Sequence, residues 1–184
     1  MTETNGPSAT ETNGSSAMAG TNTTIPALLR HFADLRDGTH GNVTAREDKE
    51  RLFAAAVALI GPYARQVLEE MNGALLLGTG SIGDSGIRTS PDGGLAASWT
   101  LSWPEQRAAQ VSPVTLEATY GRGFHHPHLR GATVGHWPLN VFDAVQAAAE
   151  LPTLRAIAAA DMHNLVFQRD YRLVPATTRA SSPQ

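Results

Sequence analysis

Val114-Thr115-Leu116-Glu117-Ala118-Thr119-Tyr120 alternates larger apolar and polar side chains without a break. A period of two puts one row of side chains on a core and the other toward solvent, which marks a half-buried strand. A strand needs partners for its backbone N–H and C=O groups. The nearest ones lie upstream. Residues 95–103 mix Leu, Ala and Trp with Ser and Thr, as strands do, and Pro104 closes them. Residues 74–77 form a short apolar run that enters a glycine-rich stretch, and Pro91-Asp92-Gly93-Gly94 is a turn signal. Strands joined in this way predict a three- or four-stranded antiparallel meander from about 74 to 134, with helices on one face. Leu77, Leu101, Trp103, Val114 and Leu116 are its expected core residues.

Helical periods stand on either side of that block. Leu28, Phe32 and Leu35 repeat at i, i+4, i+7 and mark the apolar face of a first helix ending at Asp37-Gly38. Thr44 and Glu47 read as a capping box opening a second helical stretch over 47–72. Pro62 should kink or split it, and Asn72-Gly73 should stop it. After the meander, Asn140 can cap a helix over about 141–150, and Pro152 can sit in the first turn of another. Leu154, Ile157, Ala158, Met162, Leu165 and Val166 form one face of that last helix. Helices, then strands, then helices gives an α+β fold with N-terminal helices, a meander and C-terminal helices. Residues 1–24 and 175–184 hold too little apolar surface to offset ordering entropy. They are expected to be disordered tails around a single domain over 25–174.

Composition narrows the function. A formal charge of −3 with no basic stripe argues against nucleic acid as a partner. No apolar run approaches the roughly 20 residues of a membrane span. The chain has no cysteine, so disulfides, thiolate zinc sites and cysteine nucleophiles are excluded. The absence of both cysteine and a secretory signal fits a cytoplasmic protein.

Gly78-Thr79-Gly80-Ser81-Ile82-Gly83 matches a dinucleotide-binding pattern, but the glycine-, serine- and proline-rich segment after it cannot open a helix. An ordinary glycine turn is expected. The sharper chemical feature is the loop over 121–137, which holds His125, His126, His128 and His136 beside Arg122 and Arg130. On an extended segment His126 and His128 share a face and can bind one metal, with His136 or His163 as a third ligand. Asp161 or Glu117 can add a carboxylate. Such a set suits zinc or iron. The same histidines can equally serve a turn by hydrogen bonding. Trp99, Trp103 and Trp137 can line a small-molecule cleft or fill the core.

Residues 92–137 resemble the central part of ubiquitin-conjugating enzymes and their inactive variants. Asp92-Gly93-Gly94 followed by Ser98-Trp99-Thr100-Leu101-Ser102-Trp103-Pro104 is similar to that family's glycine turn, second strand and closing proline. Ser112-Pro113-Val114-Thr115-Leu116 looks like its third strand, and His126-Pro127-His128 stands where its His-Pro-Asn turn stands. Gly131 and Trp137-Pro138 resemble the glycine and the Trp-x-Pro element that the family carries after that turn. The resemblance implies a ubiquitin-conjugating-like (UBC-like) α+β domain. The family's nucleophilic cysteine is missing, so the thioester step is closed to this chain. Two functions remain as expectations. One is a non-catalytic UBC-like module that binds a protein partner. The other is a small His-dependent enzyme, with or without a metal, that uses His126, His128, His136 and Arg130.

Overall fold

The computed structural model describes residues 24–178. The remaining residues of both expected tails lie outside that range. Within it, Thr24 and residues 175–178 belong to helices.

The first helix, α1 (Thr24–Asp37), ends at Gly38 with φ +65° and Thr39 N–H donating to Asp34 O at 2.9 Å. That is the glycine-terminated end the sequence predicts. Its buried face is different from the expected one. His31 and Asp34 are buried, while Ile25, Leu29, Phe32 and Leu35 are 46% to 64% exposed. The helix docks through its polar residues.

The second helix, α2 (Arg46–Leu76), runs unbroken through Pro62. Proline removes one hydrogen bond. Here the residues concerned, Ala58 and Pro62, are both exposed, while Phe53, Ala56, Ile60, Ala64 and Leu68 hold the helix in the core on either side. The Thr44 capping box does not form; the N-cap is Ala45, without a side-chain bond. Nor does Asn72-Gly73 stop the helix. It continues one turn, ending at Leu77 with φ 54°. Residues 74–77 are therefore mostly the last turn of α2 rather than a strand, and Leu77 is 38% exposed rather than core. Asn72 turns back to the returning chain instead. It accepts from Gly80 N–H at 2.8 Å and donates to Gly80 O at 3.3 Å.

The sheet has five antiparallel strands in sequence order, against three or four expected: β1 (Ser81–Thr89), β2 (Leu95–Ser102), β3 (Val114–Tyr120), β4 (His128–Arg130) and β5 (Trp137–Pro138). The glycine-rich motif leads into β1, not a helix and not merely a turn, so no helix N-terminus cradles a phosphate there. The extra strands β4 and β5 come out of the histidine loop and are too short to show a period. The predicted turn at 91–94 joins β1 to β2, with Asp92 accepting from Gly94 N–H and Arg122 N–H, both at 2.9 Å.

Register places Ala97, Trp99 and Leu101 opposite Ala118, Leu116 and Val114, and this face is buried. Trp99 packs beneath Gly61 of α2. A short helix, α3 (Pro104–Ala108), follows β2. Then come α4 (Ala144–Ala149), capped by Asp143 rather than Asn140, and α5 (Leu151–Gln168), with Pro152 in its first turn as predicted. A 3-10 turn at Tyr171–Leu173 and α6 (Pro175–Thr178) end the described chain. Trp103 donates its indole N–H to Leu173 O at 2.6 Å, which seals that end of the core. Helices α2 and α5 pack on the apolar face. His31 of α1 reaches His128, which pairs with Thr119 on the other face, so helices stand on both sides of the sheet rather than on one. No helix among the described residues is long and apolar enough to cross a membrane.

Leu116 is wholly buried at the centre of β3. Leu116→Ala is expected to cost about 2–4 kcal/mol, the transfer term plus the cavity it leaves. Urea titration of the two proteins measures it, and a loss under 1 kcal/mol would place Leu116 outside the core.

Candidate metal centre

Three segments meet beside β4, two of them consecutive in the chain and the third far away in sequence. The C-terminal half of α1 supplies His31 and Asp34. The turn after α1 supplies His40, held by paired bonds to Val43 at 3.0 and 3.1 Å. The two residues between, Gly41 and Asn42, have φ of 54° and 68°. Positive φ at both central positions is the geometry of a type I′ turn, and glycine and asparagine are the residues that tolerate it. The loop before β4 supplies His126, wholly buried, and β4 itself opens with His128.

Asp34, His40 and His126 offer ligand atoms that all lie within 4.8 Å of one another. His40 Nδ1 is 3.2 Å from His126 Nε2, and His126 Nε2 is 3.4 Å from Asp34 Oδ2. Ligands about 2.0–2.1 Å from a tetrahedral ion are about 3.3 Å apart. His126 Nδ1 lies 2.9 Å from Pro127 O. A carbonyl only accepts, so Nδ1 carries the proton and Nε2 presents its lone pair to the site. The 3.2 Å separation also serves a hydrogen bond from His40 Nδ1–H to that lone pair when no ion is bound.

Unpaired polar atoms lie on two of the three and on their neighbours. Without a hydrogen-bond partner are His31 Nδ1, Asp34 Oδ2, His40 Nε2, His128 Nδ1 and Asn140 Oδ1, all buried. Such atoms are costly when left unpaired, and their gathering in one place marks a site rather than ordinary core. Burial is the main cause that lowers the pKa of His31 and His126, and it pushes His40 and His128 down to about 4, with the neighbouring His126 adding to both. The imidazoles are therefore uncharged at neutral pH, and each keeps one ring nitrogen with a free lone pair.

The first turns of α2 hold this arrangement. Lys49, buried, donates from Nζ to Gly38 O at 2.7 Å and to His125 O at 3.3 Å, so one ammonium ties the loop of His40 to the loop of His126. Arg46 lies 3.6 Å over the Tyr120 ring and donates to Tyr120 O and Gly121 O at 3.2 and 3.1 Å. Thr39 Oγ1 donates to Asp34 Oδ1 at 2.7 Å and leaves Oδ2 free for the site.

Of the residues expected from sequence, His126 stands in the centre and His128 beside it, with ring centroids 6.0 Å apart. His136 is exposed, 5.7 Å beyond His128. His126, His128 and His136 thus form a line, while the group with metal-ligand spacing shares only His126 with that set. Arg130 is elsewhere, donating to Glu117 on the open face of the sheet at 2.6 Å. His163 stacks on Phe167. Asp161 is spent on structure, accepting from Thr115 N–H at 3.0 Å and from Thr133 N–H and Oγ1–H at 2.6 Å. Sequence reasoning missed His31, Asp34, His40 and Lys49. The available signal was that the predicted apolar face of α1 left His31 and Asp34 one turn apart with no assigned role. No family model, curated protein or solved structure matches the chain.

In the metal-free protein, His40 and His128 remain uncharged down to about pH 4, whereas the unfolded chain protonates them near 6.5. Between those values the unfolded state binds more protons. Stability is then full above pH 6.5 and falls as pH drops toward 4. Urea midpoints from about pH 7.5 to about 4.5 should show this fall. It should shrink in His40→Gln, which removes one of the two groups, and a flat profile would contradict the buried placement.

Proposed function

We propose that this chain is a small His-dependent metalloprotein of the catalytic type, in which Asp34, His40 and His126 hold one zinc or ferrous ion. The observation that carries this reading is the spacing of the three ligand atoms, set among buried polar atoms without partners. Two imidazoles and one carboxylate are donors that both ions accept. Three protein ligands leave a tetrahedral ion one open position, the mark of catalytic rather than structural sites. The ion would supply Lewis acidity to a group held there. The chain's own residues would handle protons: His31 and His128 flank His126, and the line from His128 to exposed His136 leads from the buried centre to solvent.

A second reading, the cysteine-free UBC-like module that binds a protein partner, draws support from the helix–meander–helix order and from the exposed Ile25, Leu29 and Phe32 on α1. Metal content separates the two. Under the first reading, purified protein dialysed against zinc retains about one ion per chain by mass spectrometry. Asp34→Asn, His40→Ala and His126→Ala each lose it, while His163→Ala keeps it. Free zinc at about 100 times its Kd raises stability by about 2.7 kcal/mol through linkage. Equal zinc content in the parent and in His40→Ala would sink the metal reading, and a metal-free protein isolated with a stoichiometric protein partner would favour the module.

A further inference from the structure

Beside α1, a small cavity of about 70 Å³ opens between that helix, β5 and the junction of α4 with α5. Ala27, Leu28, Pro138 and Ala149 make its apolar walls, Trp137 stands at it 41% exposed, and Glu150 and Thr153 are its polar lining. None of these residues belongs to the metal centre, and the inference does not rest on that reading.

Glu150 is the unusual member. Its side chain is half-buried among apolar groups, yet no ion pair among the described residues includes it. Burial raises its pKa, and the Thr153 hydroxyl offsets this only in part. Glu150 is both the C-cap of α4 and the N-cap of α5, without a side-chain cap bond, so the two helix dipoles oppose each other there and neither neutralises its carboxylate. Its negative charge faces a cavity beside an indole ring. A carboxylate favours a cation by charge, and an indole face favours one by its quadrupole. The methylenes behind a primary ammonium would meet the walls of Ala27, Leu28 and Pro138. A dication has no second acidic side chain among the lining residues to answer it.

We propose that this cavity binds the alkylammonium group of a primary amine, with Glu150 as counter-ion and Trp137 as its aromatic wall. The volume suits an ammonium with a few methylenes, which is the end of a lysine side chain or a small free amine.

The full chain, labelled with nitrogen-15, gives one indole N–H resonance for each of Trp99, Trp103 and Trp137, and Trp137→Phe assigns the third. Titration with n-butylammonium chloride is expected to move the Trp137 resonance saturably, while n-butanol, its neutral isostere, leaves it in place. Glu150→Gln, of equal shape, should weaken binding about tenfold or more with its other resonances and Tm unchanged. Trp137→Ala should weaken it about threefold, followed through the Thr153 amide. An acetylated, amidated Gly-Lys-Gly peptide tells the sources apart: tighter binding than butylammonium assigns the site to a lysine of a partner, and weaker binding assigns it to a free amine. No saturable shift with either amine, equal binding of butanol, or unchanged affinity in Glu150→Gln would each overturn the proposal.

Discussion

One buried ammonium decides how this chain closes. Lys49 projects from α2, and its Nζ holds the carbonyls of Gly38 and His125, which lie in two loops far apart in sequence. Burying an ammonium is costly unless its hydrogen bonds are met, so two carbonyls must be delivered to it. The two loops that deliver them bring His40 and His126 to hydrogen-bond distance. Arg46, one turn earlier, does the same for the end of β3 and the start of the histidine loop. The long helix is thus both a core element and the frame of the site. Its continuity through Pro62 keeps the frame joined to the core.

The polar character of α1 has the same origin. An amphipathic helix ordinarily buries its apolar stripe. Here the sheet offers α1 a row of imidazoles at the edge of β4, and the helix answers with His31 and Asp34. Asn140 adds a bond from its amide to Ala27 O at 3.3 Å. Phe32 and Leu35 of the apolar stripe are left outside, while Leu28 and Ala27 wall the cavity beside Glu150. The buried side chains of this helix are the polar His31 and Asp34, and Asp34 is tied to Thr39 and lies 3.4 Å from His126.

The rest of the domain obeys simpler rules. The alternation in β3 is reproduced in its burial, and its apolar row meets Ala97, Trp99 and Leu101 in register. Asp161 shows how one buried carboxylate in a helix face can serve as a fastener. It gathers the start of β3 and the loop near Gly131 onto α5, and glycine at 131 leaves room, since a Cβ would stand 3.2 Å from Ile157. A residue of that type looks catalytic in a sequence and is structural in the fold.

Local sequence signals were enough for the α+β class, β3 to the residue, the turn before β2, the apolar face of α5 and the exclusion of thiol chemistry. Each rests on a local cause: period, turn chemistry or the absence of an element. They also located one member of the site, because His126 lies in a visibly histidine-rich loop. Everything else came from long-range packing. Strands β4 and β5 are too short to carry a pattern and exist because β3 offers them an edge. The end of α2 moved past Asn72 because that side chain found the backbone of Gly80. Asp34 and His40 joined His126 because a helix end, a type I′ turn and a distant loop converge on Lys49. Convergence of that kind brings together residues remote in the chain, and no local period or spacing records it.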